Sequence, residues 1–235
     1  MSNENTLIII PARKGSKGIP KKNMKIFNGK PLISHTVDFA LMNKDQGDII
    51  CVSTNDEDVI ELFNKNKKIE LLKRPEELSK DNSGMSEVIS HAIDFYERKK
   101  IFFQYLLLLQ PTSPLRSSED YNNLMNSSDK NFDMIVSVCE SNENPYFNLY
   151  EDNKLGFLSR SKPSKYVTRQ ECPKIFKFNG AFFLIKVDAF KKYGLHNIKK
   201  IKKLIMPMER SVDIDSEFDM KLAELLIQRS IDFKA

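Results

Sequence analysis

After the aliphatic run Leu7–Ile10 comes Pro11-Ala-Arg-Lys-Gly-Ser-Lys-Gly-Ile-Pro-Lys-Lys-Asn23, which interleaves Arg13, Lys14, Lys17, Lys21 and Lys22 with Gly15, Ser16 and Gly18. Glycines let backbone N–H groups approach an anion closely, a serine adds a hydroxyl donor, and Arg and Lys neutralise phosphate charge. A triphosphate carries about four negative charges, which such a cluster can match. The spacing is neither GxxxxGK[ST] nor GxGxxG, so the competing reading is an ordinary basic surface loop. A second candidate is Asp213-Ile-Asp215. Alternation by two puts both carboxylates on one side of an extended backbone. There they repel unless a cation lies between them, and Mg²⁺ accepts carboxylate oxygens together with phosphates and waters. The competing reading is capping of the following helix by Asp215 or Ser216. Asp219 falls inside the first turn of that helix and reads as structural.

Other chemistries find little support. His35, His91 and His196 have no partner at metal-ligand spacing, and no Ser-His-Asp or Cys-His set can be assembled, which disfavours nucleophilic catalysis. Cys51, Cys139 and Cys172 are an odd, widely spaced set. They form neither a disulfide framework nor a zinc cluster and suit a reducing, cytoplasmic compartment. Lys+Arg total 37 against 32 Asp+Glu, a net charge of +5, mild for a nucleic-acid binder. The run Lys199, Lys200, Lys202 and Lys203 reads as a solvated face. The basic loop lacks the interleaved aromatics of a single-strand binder. No apolar run approaches the roughly 18 residues of a membrane span, and the start, with no basic n-region, does not read as a secretory signal.

Elements must position these residues. Short apolar runs, expected as strands, lie at Leu7–Ile10, within Asp48–Ser53, and at Ile69–Leu72, Tyr105–Leu109, Met134–Val138, Ala181–Val187 and Lys203–Met206. Helical spacing marks Pro31–Met42, Asp56–Asn64, Met85–Arg98, Ser117–Asn126 and Phe218–Gln228. The alternation predicts a doubly wound, mostly parallel α/β sheet. Ligands in such sheets sit beyond the carboxyl ends of the strands, which selects the loops after Ile10, Leu109 and Met206 and the stretch before Ala181. From about Ser141 to Phe178 the chain turns polar and aromatic, with prolines at 145, 163 and 173, and reads as an extended β-type insertion.

With these residues in view, the chain resembles the CMP-sialic acid synthetases (acylneuraminate cytidylyltransferases). The loop ARKGSKGIPKKN is similar to their signature, and Leu108-Leu-Gln-Pro-Thr-Ser-Pro-Leu-Arg116, Arg169-Gln-x-x-Pro-x-x-Phe-x-x-Asn-Gly180 and Asp213-Ile-Asp215 with Asp219 match further family segments in order. Arg74-Pro-Glu-Glu-Leu-Ser-Lys-Asp81 resembles another loop. The resemblance implies a Rossmann-like nucleotidyltransferase of residues 1–142 and 178–235, with residues 143–177 an inserted dimerisation arm. It implies Arg13, Ser16 and Lys22 on the phosphates of CTP, with Lys22 stabilising charge at the α-phosphate, and Asn23 and Arg74 at the base. It implies Mg²⁺ on Asp213 and Asp215, with Asp215 or a metal-bound hydroxide as proton acceptor. An acidic nine-carbon sugar would meet Gln110, Ser113, Arg169, Gln170 and Asn179. Phe183 departs from the family's frequent Tyr and removes one sugar contact. The expected reaction is CTP plus a nonulosonic acid giving the CMP-sugar and pyrophosphate in a cytoplasmic homodimer, with no nucleic-acid or membrane partner. N-acetylneuraminate leads as the sugar, legionaminate and pseudaminate are rivals, and Kdo stands further off. A non-enzymatic nucleotide-sugar-binding protein on the same fold is the alternative class.

Overall fold

A computed structural model describes residues 5–15, 18–79, 84–128 and 131–232, with side chains of helix residues through Arg229. In chain order the strands are β1 (Thr6–Ala12), β2 (Ile26–Phe27), β3 (Lys30–Pro31), β4 (Ile49–Thr54), β5 (Glu70–Lys73), β6 (Tyr105–Leu108), β7 (Met134–Glu140), β8 (Tyr150–Asp152), β9 (Leu158–Arg160), β10 (Phe176–Lys186) and β11 (Ile201–Ile205). The α-helices are α1 (Leu32–Asn43), α2 (Glu57–Phe63), α3 (Met85–Arg98), α4 (Ser118–Asn126), α5 (Val187–Tyr193) and α6 (Glu217–Asp232). Seven strands form one sheet in the order β11-β7-β10-β6-β1-β4-β5. Every pairing in it is parallel except those of β10, which runs antiparallel between β6 and β7.

The period of two in β1 builds two cores. Ile8, Ile10 and Ala12 face one side and pack with Ile33, Val37 and Ala40 of α1, Val59 and Phe63 of α2, and Leu124 of α4. Leu7 and Ile9 face the other, with Ile89, Ala92, Ile93 and Tyr96 of α3 and Phe190 of α5. A strand covered on both faces has to be apolar at consecutive positions, and β1 and β6 are. A third, smaller core joins Ile19, Phe27, Leu32, Ile214, Met220 and Ala223. It ties the basic loop to the acidic segment.

Three local features depart from expectation. β10 begins five residues before Ala181. Its register shifts between Phe178 and Phe183, around Gly180 with φ +73°, a conformation that disfavours side chains. That irregularity breaks the alternation that marks a strand in sequence. α5 follows β10 without a linker, so its apolar start reads as more strand. The β2–β3 hairpin turns at Asn28 and Gly29, both with positive φ, as a tight hairpin requires. Between β7 and β10 the chain carries the β8–β9 hairpin and a 3-10 turn at Arg169–Glu171, extended as expected. No helix among the described residues is long and apolar enough to cross a membrane.

Candidate active site

A cleft of about 490 Å³ opens at the carboxyl ends of the parallel strands. Its walls come from the segments just beyond β1, β4, β5 and β6: Arg13, Asp56, Arg74 and Gln110 each line it, where open α/β sheets place ligands. Gly15, Gly18, Lys21, Lys22 and Asn23 of the basic loop, Met85 at the start of α3, Thr112, Asp213 and Asp215 complete it. Ser16 lies outside the described residues. The lining carries Arg13, Lys21, Lys22 and Arg74 against Asp56, Asp213 and Asp215. Those carboxylates would repel a naked triphosphate, so the cleft is better suited to a polyphosphate bound with a cation.

The acidic segment is stapled to both neighbouring loops. Ile214 N–H donates to the Thr112 carbonyl at 2.8 Å. Lys22 Nζ donates to the Ile214 carbonyl and to Asp215 Oδ1, each at 2.8 Å. Gly18 presses against the Asp215 backbone, where an ideal Cβ would lie 2.0 Å from the carbonyl oxygen. The alternation holds: Ile214 is buried in the third core while Asp213 and Asp215 both line the cleft. Asp219 accepts from the Asp215 and Ser216 N–H groups and from the Ser216 hydroxyl. Asp219 thus carries the start of α6, and both aspartates before it remain at the cleft.

Asp213 turns Oδ1 inward, buried and without a hydrogen-bond partner among the described residues. Burial first, and then the Asp215 charge, push its carboxyl above the usual range. An orphaned carboxylate oxygen beside a second carboxylate suits a hard cation. No group of three or more His, Cys, Asp or Glu able to hold a metal occurs among the described residues. Two protein carboxylates, with phosphate and water to complete the shell, fit Mg²⁺ rather than an all-protein metal cage.

On the opposite wall Arg74 is buried, donating Nε and Nη2 to the Ser53 hydroxyl and carbonyl at 3.2 and 2.9 Å. Burial and then the nearby Arg13 bring its guanidinium down to about 10. Asn23 Nδ2 donates to the Arg13 carbonyl at 3.2 Å, holding the loop at the cleft. Lys21, in a left-handed conformation (φ 51°), pairs with Asp58 at 2.7 Å.

Of the residues expected at the sugar, Gln110 lines this cleft, and the others stand elsewhere. Ser113 is buried and donates to the Asn179 carbonyl at 2.9 Å. Asn179 is buried too: Nδ2 donates to Ser211 Oγ at 2.8 Å, and Oδ1 accepts from the Ser137 hydroxyl and Ala181 N–H. Its side chain therefore braces β7, β10 and the segment before Asp213 and has no polar atom left over for a ligand. Phe183 packs edge-on to Phe178, ring centroids 6.0 Å apart. Arg169 and Gln170 are exposed on the insertion, where Arg169 Nη2 donates to Asn142 Oδ1. The second cavity beside Asp213, about 270 Å³, is lined by Asn142, Lys177, Met208 and Leu222 among others.

Sequence reasoning missed Asp56, Met85 and Thr112. Asp56 follows β4 by two residues and accepts from Asp58 N–H as the cap of α2; an acid just past a parallel strand was its one signal. Behind the Gln110 loop lies Arg116, buried, donating to Thr36 Oγ1 at 2.9 Å and the Gln110 carbonyl at 2.5 Å. Burial drops its guanidinium to about 9, with the Asp213 charge the force that opposes this.

Comparison with known proteins bears on what such a cleft does. A model of the cytidylyltransferase family matches residues 7–228. A CMP-N,N'-diacetyllegionaminic acid synthase of Legionella pneumophila is 28% identical over 94% of this chain and 96% of its own. An N-acylneuraminate cytidylyltransferase of Streptococcus agalactiae is 32% identical over 91% of this chain and 51% of its own, so the chain spans about half of that relative. A solved structure of CMP:2-keto-3-deoxy-manno-octonic acid synthetase complexed with CTP superposes with TM-score 0.69 at 18% identity, covering 96% of this chain and 99% of that one. At that identity the likeness is one of fold, the nucleotidyltransferase α/β fold.

Proposed function

The chain belongs to the cytidylyltransferase family, and on that premise we propose that it transfers CMP from CTP to a nonulosonic acid, releasing pyrophosphate. It is a nucleotidyltransferase, and the observation that carries the finer reading is the pairing of Lys22 with the Asp213–Asp215 segment across one cleft. Lys22, held to a backbone carbonyl, offers an ammonium at a fixed place; a positioned charge of this kind stabilises charge gathering on the α-phosphate. Arg13 and Ser16 hold the phosphates, and Asn23 and Arg74 hold the base. Asp213 and Asp215 would hold Mg²⁺, which when bound would supply charge neutralisation for the phosphates. The anomeric hydroxyl attacks in line, and Asp215 is our candidate to take its proton. Most of the rate then comes from positioning and charge neutralisation.

Gln110 is the cleft residue that meets the sugar. Ser113 and Asn179 act behind it, bracing the loop and strand. Arg169 and Gln170 stand on the insertion of residues 143–177, and we propose that this arm packs on a second copy and carries Arg169 to that copy's cleft, where guanidinium matches the sugar carboxylate bidentately. Phe183, where the family often has Tyr, packs against Phe178 and offers the sugar no hydroxyl. The enzyme would work in the cytoplasm, where CTP is made. N-acetylneuraminate is the first candidate, and legionaminate is a second reading supported by the Legionella relative. Pyrophosphate release should be measured with CTP, Mg²⁺ and each of N-acetylneuraminate, legionaminate, pseudaminate and Kdo. Release with one nine-carbon sugar, abolished by chelation, is expected. Silence with every nine-carbon sugar overturns the substrate class.

A further inference from the structure

We propose that Asp215 and the nucleotide compete for the ammonium of Lys22, so that a cation on Asp215 and CTP in the cleft each favour binding of the other. This rests on reading the cleft as a CTP site and concerns how that site is assembled. Lys22 has three N–H donors, and two are engaged, by the Ile214 carbonyl and Asp215 Oδ1 at 2.8 Å each. The two ends differ in setting: the Lys22 side chain is 12% exposed and that of Asp215 76%. The lysine is thus fixed and the carboxylate is free to turn outward.

The backbone around them leaves little room for any other adjustment. Gly18 already touches the Asp215 carbonyl, and Ile19 and Ile214 share a core, so the loop and the acidic segment cannot separate without breaking that core. The Ile214 carbonyl keeps the ammonium at the cleft whichever anion it serves. Only the Asp215 side chain has to change partner. A cation that takes Asp215 frees the donor and charge of Lys22 for phosphate. Phosphate that takes Lys22 frees Asp215 for the cation. Such reciprocity between two ligands follows from linkage.

The test is calorimetric binding of CTP to the full chain without sugar, in chelator and in Mg²⁺, for wild type, Asp215→Asn, Lys22→Met and the double variant. Asp213→Asn, alone and with Lys22→Met, removes equal charge from the same cleft without touching Lys22. In chelator, Asp215→Asn should tighten CTP about fivefold when Lys22 is present and leave it unchanged in Lys22→Met. Asp213→Asn should act alike in both backgrounds. A second titration, Mg²⁺ alone, should show Lys22→Met binding the cation more tightly than wild type. Lys22→Gln serves in place of Lys22→Met if the latter does not fold. An Asp215→Asn effect equal in both backgrounds, or Mg²⁺ affinity indifferent to Lys22, overturns the exchange and leaves the CTP reading standing. Absence of CTP binding in every variant, with Mg²⁺ or without, overturns that reading and the exchange with it.

Discussion

Gly18 has its Cα so near the Asp215 carbonyl that one added methyl would fall 2.0 Å from the oxygen. The obstacle is backbone, which cannot swing aside as a flexible side chain would. Gly18→Ala should therefore push the basic loop away from the acidic segment and lengthen both bonds of Lys22. We expect a loss of about 1–3 kcal/mol in stability and a fall in turnover greater than the change in apparent CTP affinity. Thermal melts with steady-state kinetics check this, and wild-type turnover in Gly18→Ala would show that the close approach is not needed. The glycine is plain in the sequence, but its neighbour in space lies nearly two hundred residues away. Likewise Asn179 was legible as a polar residue in a family-like motif, while its satisfaction by Ser137, Ser211 and Ala181 depends on three separate segments meeting.

The 3-10 turn at Met208–Arg210 carries the chain from the sheet edge to the acidic segment, and α4 is its anchor. Arg210 donates Nε and Nη2 to the two oxygens of Asp120, each at 2.8 Å, and Asp120 also closes the capping box with Ser117. Burial alone would raise the Asp120 carboxyl, but the bonds from Arg210 and Ser117 more than offset it and hold it below the ordinary range. A depressed folded value means the ionised form contributes stability above the unfolded value, and that contribution fades as the pH falls through the folded one. Asp120→Asn should cost about 1–3 kcal/mol at neutral pH, and the difference from wild type should shrink on acidification below the usual carboxylate range. Chemical denaturation across pH reads it, and a pH-independent difference would exclude the ion pair as the cause. The helix α4 and its Ser-Ser-Glu-Asp start were readable locally, since capping is a matter of three or four consecutive residues. The Arg210 partner was not.

At the scale of the whole molecule, the insertion presents Leu155, Phe157 and Leu158 at 80%, 68% and 69% exposure, on a two-stranded hairpin that has little core of its own. Light scattering on the full chain should show a homodimer, and Phe157→Asp with Leu158→Asp should give a monomer whose melting temperature is little changed while turnover falls. A fully active monomer would overturn the arm proposal. The sequence by itself determined the alternation of strands and helices, the basic loop, the acidic pair and the family, because periodicity, turn chemistry and motifs are local and survive in one dimension. The antiparallel course of β10, the partner of Lys22 and the burial of Asn179 behind the Gln110 loop were decided by tertiary structure alone. Each depends on which distant segments share a sheet edge or a core, and that is settled by the joint burial of Ile19 with Ile214 and of β10 between β6 and β7, for which no single stretch of chain carries a signal.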